Sequence, residues 1–255
     1  MTAPTPSVAG SSVHKGLKFA LIVPSTNTSV EREFHHLRPR DCSWHTGRIM
    51  ISAVALDSAD AFGKFRDNLN EALPAALETV MTAQPDYLVM GMSAETFWGG
   101  VAGNAEFELR VRDLTGLEVT TGATAAGHAL QAFGAKKIGV ITPYQPVGDE
   151  QVVAYFSELG FEVTAIHGLK SASATSIADE TPDDIRAAFL AVDGPDVDAL
   201  IQCGTNLEAV AVAAELEREL DKPVIAINLA TVWHALRANG IDDKIFGHGS
   251  LLERF

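Results

Sequence analysis

Residues 199–208 read ALIQCGTNLE, and the way this stretch changes character decides the fold. An apolar run, Ala199-Leu200-Ile201-Gln202, stops at Cys203-Gly204-Thr205. A helical pattern opens at Asn206-Leu207 and runs to Leu220. A short strand that feeds a helix through a polar loop is the unit from which parallel α/β sheets are assembled. The same unit stands upstream, where a strand runs into Met92-Ser93-Ala94-Glu95. A companion unit with proline in its loop also occurs twice, at Val23-Pro24-Ser25-Thr26-Asn27 and at Ile141-Thr142-Pro143-Tyr144-Gln145-Pro146. Each half of the chain is thus strand, proline loop, helix, followed by strand, polar loop, helix.

The expected fold is α/β, two pseudo-symmetric Rossmann-like lobes with parallel sheets and the four strand-end loops facing one cleft. Ligands of open α/β sheets bind beyond the carboxyl ends of the strands. The plainer alternative is that any βα protein looks self-similar. Expected boundaries are a flexible tail at 1–16, a first lobe at 17–122 and a second at 123–255, with terminal segments free to exchange. Strands are expected at Leu17–Val23, Arg48–Leu56, Tyr87–Met92, Lys137–Thr142, Phe161–His167, Ala199–Cys203 and Val224–Asn228. Helical patterns cover 65–82, 104–114, 123–133, 150–159, 182–192, 207–220 and 231–239. Thr181-Pro182 reads as a helix start, and Gly160 and Gly240 as helix stops.

Composition narrows the function classes. The chain has 255 residues, 47% hydrophobic and 20% charged, an ordinary globular balance. A formal net charge of −14 argues against nucleic acid, which is met by basic faces. Two cysteines in unlike contexts, Cys42 and Cys203, do not suggest a disulfide framework, so the default placement is cytoplasmic with reduced thiols. Residues 1–16 contain no apolar run and do not read as a secretion signal. No stretch is long and apolar enough to predict a membrane helix. The eight histidines show no metal-ligand spacing, no Walker A loop is present, and Gly99-Gly100-Val101-Ala102-Gly103 lacks a dinucleotide-fingerprint setting. Neither a metal nor another cofactor is indicated.

Several residues are of the types that carry acid–base chemistry. Cys203 sits at a strand end before a helix, where free N–H groups and the helix dipole favour a titratable sulfur. Its bland reading is a small buried apolar residue. Gly204 lets the backbone approach a ligand, and Thr205 or Asn206 would cap the helix. Ser93 and Thr96 supply hydroxyls near backbone N–H groups that can form an anion nest; alternatively both cap a helix. Asn27 is either a carboxylate-gripping amide or a helix cap, and Tyr144 either an oxyanion donor or a rim tyrosine. Glu95 reads better as a first-turn acid than as a base. Cys42, in a loop-like stretch, carries little.

Taken in order, IVPSTNT at 22–28, ITPYQPVGDE at 141–150, QCGTNLEAV at 202–210 and TVWHALRANG at 231–240 resemble the maleate cis–trans isomerase and arylmalonate decarboxylase branch of the aspartate/glutamate racemase superfamily. The resemblance covers essentially the whole chain beyond the tail and implies a two-lobed, cofactor-independent enzyme acting on a small dicarboxylic acid, as a homo-oligomer. In that branch, isomerases use two facing cysteines, whereas decarboxylases use one cysteine opposite a dioxyanion hole. By this resemblance Cys203 is the second-half cysteine, Tyr144 the pattern tyrosine, and Asn27 the asparagine of the first loop. Met92 stands where isomerases carry a nucleophilic cysteine. Ser93 keeps a hydroxyl position of the oxyanion loop, Ala94 replaces another, and Ala174 stands where isomerases place a carboxylate-binding asparagine. A thioether cannot add to maleate and leave as a thiolate does. The expectation is therefore single-cysteine decarboxylation of a substituted malonate, ahead of a maleate-type isomerase, with a non-catalytic carboxylate binder as third reading.

Overall fold

The computed structural model describes residues 16–52 and 55–255. Most of the expected tail lies outside the described residues. In chain order the first half comprises β1 (Leu17–Pro24), α1 (Val30–His36), β2 (Cys42–Ile49), α2 (Ala59–Met81), β3 (Tyr87–Met90), α3 (Ala94–Phe97), α4 (Gly100–Thr115), β4 (Val119–Thr120) and α5 (Gly122–Ala132). The second comprises β5 (Lys137–Thr142), α6 (Pro146–Glu158), β6 (Glu162–Gly168), α7 (Pro182–Val192), β7 (Ala199–Gln202), α8 (Val210–Leu220), β8 (Val224–Ala226), α9 (Ile227–Ala238) and α10 (Ser250–Arg254).

The two halves repeat one topology. One sheet has strand order β2-β1-β3-β4 and the other β6-β5-β7-β8, all pairs parallel. Adding four to each strand number of the first sheet yields the second. Leu21 aligns with Thr46 on one side and Val89 on the other; Val140 aligns with Ile166 and Ile201. The central strands are largely apolar because both faces are covered by helices; every residue of β3 and β7 is buried, Gln202 included. In each sheet the connection reverses direction between two central strands, β1 and β3 or β5 and β7, and their carboxyl ends flank the crevice where such sheets bind ligands. Helix α9 packs against α1, α5 and β4 as well as β8, so it bridges the two sheets.

Local signals explain many element ends. Thr181 and Asp184 form a reciprocal capping box, with Pro182 in the first turn of α7. Gly160 and Gly240 follow α6 and α9 in left-handed conformations, at φ 89° and 69°. Other expectations are corrected. The strand expected at 48–56 lies at Cys42–Ile49, which takes Cys42 out of a loop and into β2. As an edge strand β2 pairs only with β1 and is half-exposed, so it lacks the apolar run expected of a buried strand. Strand β8 stops at Ala226, and α9 begins at Ile227, four residues before the expected start.

Candidate active site

The four strand-end loops meet around a cavity of about 50 Å3. Its polar side presents Asn27 from the β1 loop, Ser93 from the β3 loop, Tyr144 from the β5 loop, and Thr205 and Asn206 from the β7 loop. The rest of its lining is mostly apolar: Leu56, Phe62, Phe65 and Leu69 with Met92, Ala94, Ala174 and Ile177. Phe62 is held by stacking on Trp98, with centroids 5.5 Å apart, and lies edge-on to Tyr144 at 6.0 Å. An aromatic wall of this kind has preferred geometry as well as bulk.

On the polar side Ser93 Oγ lies 2.8 Å from Tyr144 Oη. The Thr205 N–H donates to the same Ser93 oxygen at 3.1 Å. The two hydroxyls carry two protons, and only one is consumed between them. Whichever hydroxyl donates, the other proton remains for a third group. Ser93 does not cap α3 with its side chain; its hydroxyl faces the cavity instead. Thr205 Oγ1 accepts from Asn27 Nδ2 at 3.3 Å and donates to Gly91 O at 3.2 Å. Asn27 Oδ1 accepts the Ser29 and Val30 N–H groups at the start of α1, where Ser29 is the N-cap residue, while Nδ2 donates to Thr205 Oγ1. Asn206 binds Thr28 N and Ala174 O across the loops.

Two details of the Cys203 loop differ from expectation. Helix α8 begins at Val210, not at Asn206-Leu207, so the thiol is several residues from a helix N-terminus, and neither Thr205 nor Asn206 caps it. Cys203 is fully buried and is not among the residues that line the cavity, which the neighbouring Gly204 and Thr205 reach. That burial pushes its thiol well above the ordinary value of 9.0, with the nearby Asp149 carboxylate pushing the same way. The sulfur is held as a neutral thiol rather than activated as a thiolate. Gly204 has φ 139°, and a Cβ there would stand 2.3 Å from Pro143 Cδ. Contact between two loops therefore requires this glycine, not only access for a ligand.

Burial and the Cys203 thiol both raise the Tyr144 phenol, with the Ser93 hydrogen bond opposing them. Tyr144 thus stays a donor across the neutral range. Glu95 accepts from Arg66 at 2.8 Å and Asn70 at 3.0 Å, and Arg66 lies over Trp98 at 4.0 Å. Those partners make Glu95 a brace behind the Ser93 loop, in line with its reading as something other than a base.

Several groups around the site were not anticipated. Phe62, Leu69 and Ile177 form much of the apolar wall, from helix α2 and the 3-10 turn at Ser176–Asp179. Asp149 accepts a hydrogen bond from Thr142 Oγ1, which accepts the Tyr144 N–H at 3.0 Å. Glu33 and Asn228 lie behind the Thr205 loop. Spacing along the chain could not reveal Glu33 and Asn228, which reach the Thr205 loop from distant helices, whereas Asp149 lies in the helix directly after the Tyr144 loop. Among the described residues, no group of three or more His, Cys, Asp or Glu is placed to hold a metal, and no helix is long and apolar enough to cross a membrane.

The arylmalonate decarboxylase family model matches residues 20–252. The arylmalonate decarboxylase of Bordetella bronchiseptica is 30% identical over 171 residues, 65% of this chain and 70% of that protein. The maleate isomerase of Pseudomonas putida is 27% identical over 245 residues, 91% of this chain and 95% of the relative. In three dimensions the chain resembles the maleate cis-trans isomerase of Nocardia farcinica carrying a covalently bound succinylcysteine intermediate, with TM-score 0.84 and 23% identity, over 94% of this chain and 99% of that one. It also resembles unliganded arylmalonate decarboxylase, with TM-score 0.74 and 23% identity, over 94% and 100%. Matching across almost all of its length, the chain belongs to the arylmalonate decarboxylase family.

Proposed function

We propose that this enzyme decarboxylates a malonate bearing one apolar substituent and that Cys203 protonates the resulting carbanion. The observation that carries this reading is the make-up of the cavity lining: a few hydrogen-bonding groups (Asn27, Ser93, Tyr144, Gly204, Thr205) beside the apolar side chains of Leu56, Phe62, Phe65, Leu69 and Ile177. A wall of this kind suits an alkyl or aryl group and leaves a second carboxylate there unpaired, which is costly for a charged group.

The reaction balances without a cofactor. The bond from the α carbon to one carboxylate breaks and CO2 leaves. The electron pair passes into the remaining carboxylate, giving an enediolate. The spare hydroxyl proton of the Ser93–Tyr144 pair, the Asn27 amide and the Gly204 N–H hold its oxygens. Donors already aimed at the place where charge develops do more for such a reaction than any other single device. Cys203 then transfers its S–H proton to the α carbon, and water that enters as the product leaves reprotonates the thiolate. A thiol that burial keeps neutral suits this acid role better than it suits addition to a double bond. The cavity has room for only about three to five waters and does not reach Cys203, so a substituted malonate must widen it to meet the thiol.

A maleate-type isomerase is the second reading, supported by relatives of that name that match over more than nine-tenths of this chain. Isomerisation conserves mass, whereas decarboxylation releases CO2. Cys203→Ala tests the role of the thiol: turnover is expected to fall by roughly 100- to 10,000-fold, the range of a general acid, with thermal unfolding little changed. Retained turnover in that variant contradicts the mechanism.

A further inference from the structure

Glu33 sits on α1 in the first half, yet its buried carboxyl serves groups of the second half. Oε1 accepts the Val210 N–H at 2.9 Å, at the first residue of α8. Oε2 accepts from Asn228 Nδ2 at 2.5 Å. The same amide nitrogen donates to Thr205 O at 2.9 Å, and the Thr205 N–H in turn holds Ser93 Oγ. A continuous chain of hydrogen bonds therefore runs from Glu33 through Asn228 and Thr205 to the Ser93–Tyr144 pair.

The chain has a direction. Asn228 Oδ1 is the one buried side-chain N or O atom among the described residues with no hydrogen-bond partner. Turning the amide over would set that oxygen against the Glu33 carboxylate and the Thr205 carbonyl, two acceptors, and leave Thr205 O without a donor. An ionised Glu33 forbids the turn, so an orphaned acceptor is tolerated while both amide protons are committed.

We propose that Glu33 is a positioning residue for the reaction, locking the Asn228 amide on the Thr205 carbonyl so that the Thr205 backbone is held with the N–H of its preceding peptide on Ser93. The inference rests on the reading of Ser93 and Tyr144 as the holders of the oxyanion. Burial lifts the Glu33 carboxyl to about 7, opposed by the hydrogen bonds from Asn228 and Val210. The charged groups facing it are Glu208, which raises it, and Arg32, which lowers it, themselves paired at 3.1 Å. Val210 and Asn228, from α8 and α9, are uncharged. Once protonated, Glu33 can donate to Asn228 Oδ1, so that only the Thr205 carbonyl still opposes the turn and the anchor on Thr205 weakens. The lock is thus engaged above neutral pH and loosened below it.

Glu33→Gln, which puts a permanent donor beside Asn228, is the direct test. At about pH 8, above the Glu33 midpoint, kcat is expected to fall roughly tenfold, the effect of one lost positioning hydrogen bond, with KM nearly unchanged. The wild-type kcat should decline below neutral pH, and that limb should vanish in the variant. A variant matching wild type at high pH, or one retaining the acid limb, overturns the proposal. A second readout needs neither substrate nor turnover. In the wild type, the Thr205 backbone amide and Asn228 side-chain amide NMR signals should titrate together near neutral pH; in the variant they should not. A Thr205 signal that ignores pH across the neutral range overturns the lock. Coupled titration in a protein inert toward malonates leaves the lock standing and removes the proposed reaction instead.

Discussion

The Ser93 hydroxyl and the Tyr144 phenol stand 2.8 Å apart across the join between the two sheets, one after β3 and the other after β5. Neither half of the chain builds this pair alone. With the Thr205 N–H also bound to Ser93, the pair offers a single preorganised proton to a mostly apolar cavity.

Removing the phenol oxygen should therefore cost transition-state stabilisation while leaving most of the packing in place. Tyr144→Phe is expected to lower kcat by roughly 100- to 1,000-fold, the range for one oxyanion donor. The Phe62 ring contact is kept and thermal stability changes little. Steady-state kinetics with circular dichroism melting checks this; an unchanged kcat removes the pair from the mechanism.

The convergence behind that pair is partly legible in the sequence, and the reason is physical. Pro24, Pro143, Ser93 and Cys203 punctuate strand ends, and punctuation of this kind survives in a single chain because strand and helix periods differ. The repeated strand order follows from the same pattern. Edge strand β2 escapes it because a half-exposed strand carries no continuous apolar run, and two-residue β4 is too short to register. For Cys203, position in the chain points to a titratable sulfur and misjudges the direction of its shift. It suggests a helix dipole, whereas the three-dimensional surroundings impose burial, and burial acts in the opposite direction. Glu33 and Asn228, 195 residues apart, meet only through tertiary packing.

That burial has a pH signature. A carbon-protonating thiol must be in its neutral form, and Cys203 is held above the ordinary thiol value of 9.0. Its contribution to rate should be flat through neutral pH and decline only on the alkaline side, beyond that value. Stability follows the same sign: the raised folded-state pKa makes a contribution present below 9.0 and lost as pH rises through the folded value. Rate and denaturant-unfolding profiles in alkaline buffers measure both. A Cys203 limb at or below neutral pH contradicts the buried-thiol account.

The apolar wall should set substrate preference. Ala174 is buried at the cavity edge, and Ala174→Asn places an amide against the substituent. Leaving that amide unpaired costs about 1–3 kcal/mol, so kcat/KM for aryl- and alkylmalonates should fall roughly tenfold or more. Unsubstituted malonate, which leaves room for water beside the amide, should be affected less. Equal losses for all malonates contradict the assignment of this wall to the substituent.

The central claim is decarboxylation with Cys203 as the proton donor, and a proton NMR time course in D2O tests it most directly. Purified enzyme is offered maleate together with several aryl- and alkylmalonates, beside the Cys203→Ala variant. The account predicts loss of a substituted malonate and a monoacid carrying one α-deuteron, with neither change in the variant. Conversion of maleate to fumarate with every malonate untouched would contradict it, and would show that isomerisation proceeds without a thiol at position 92.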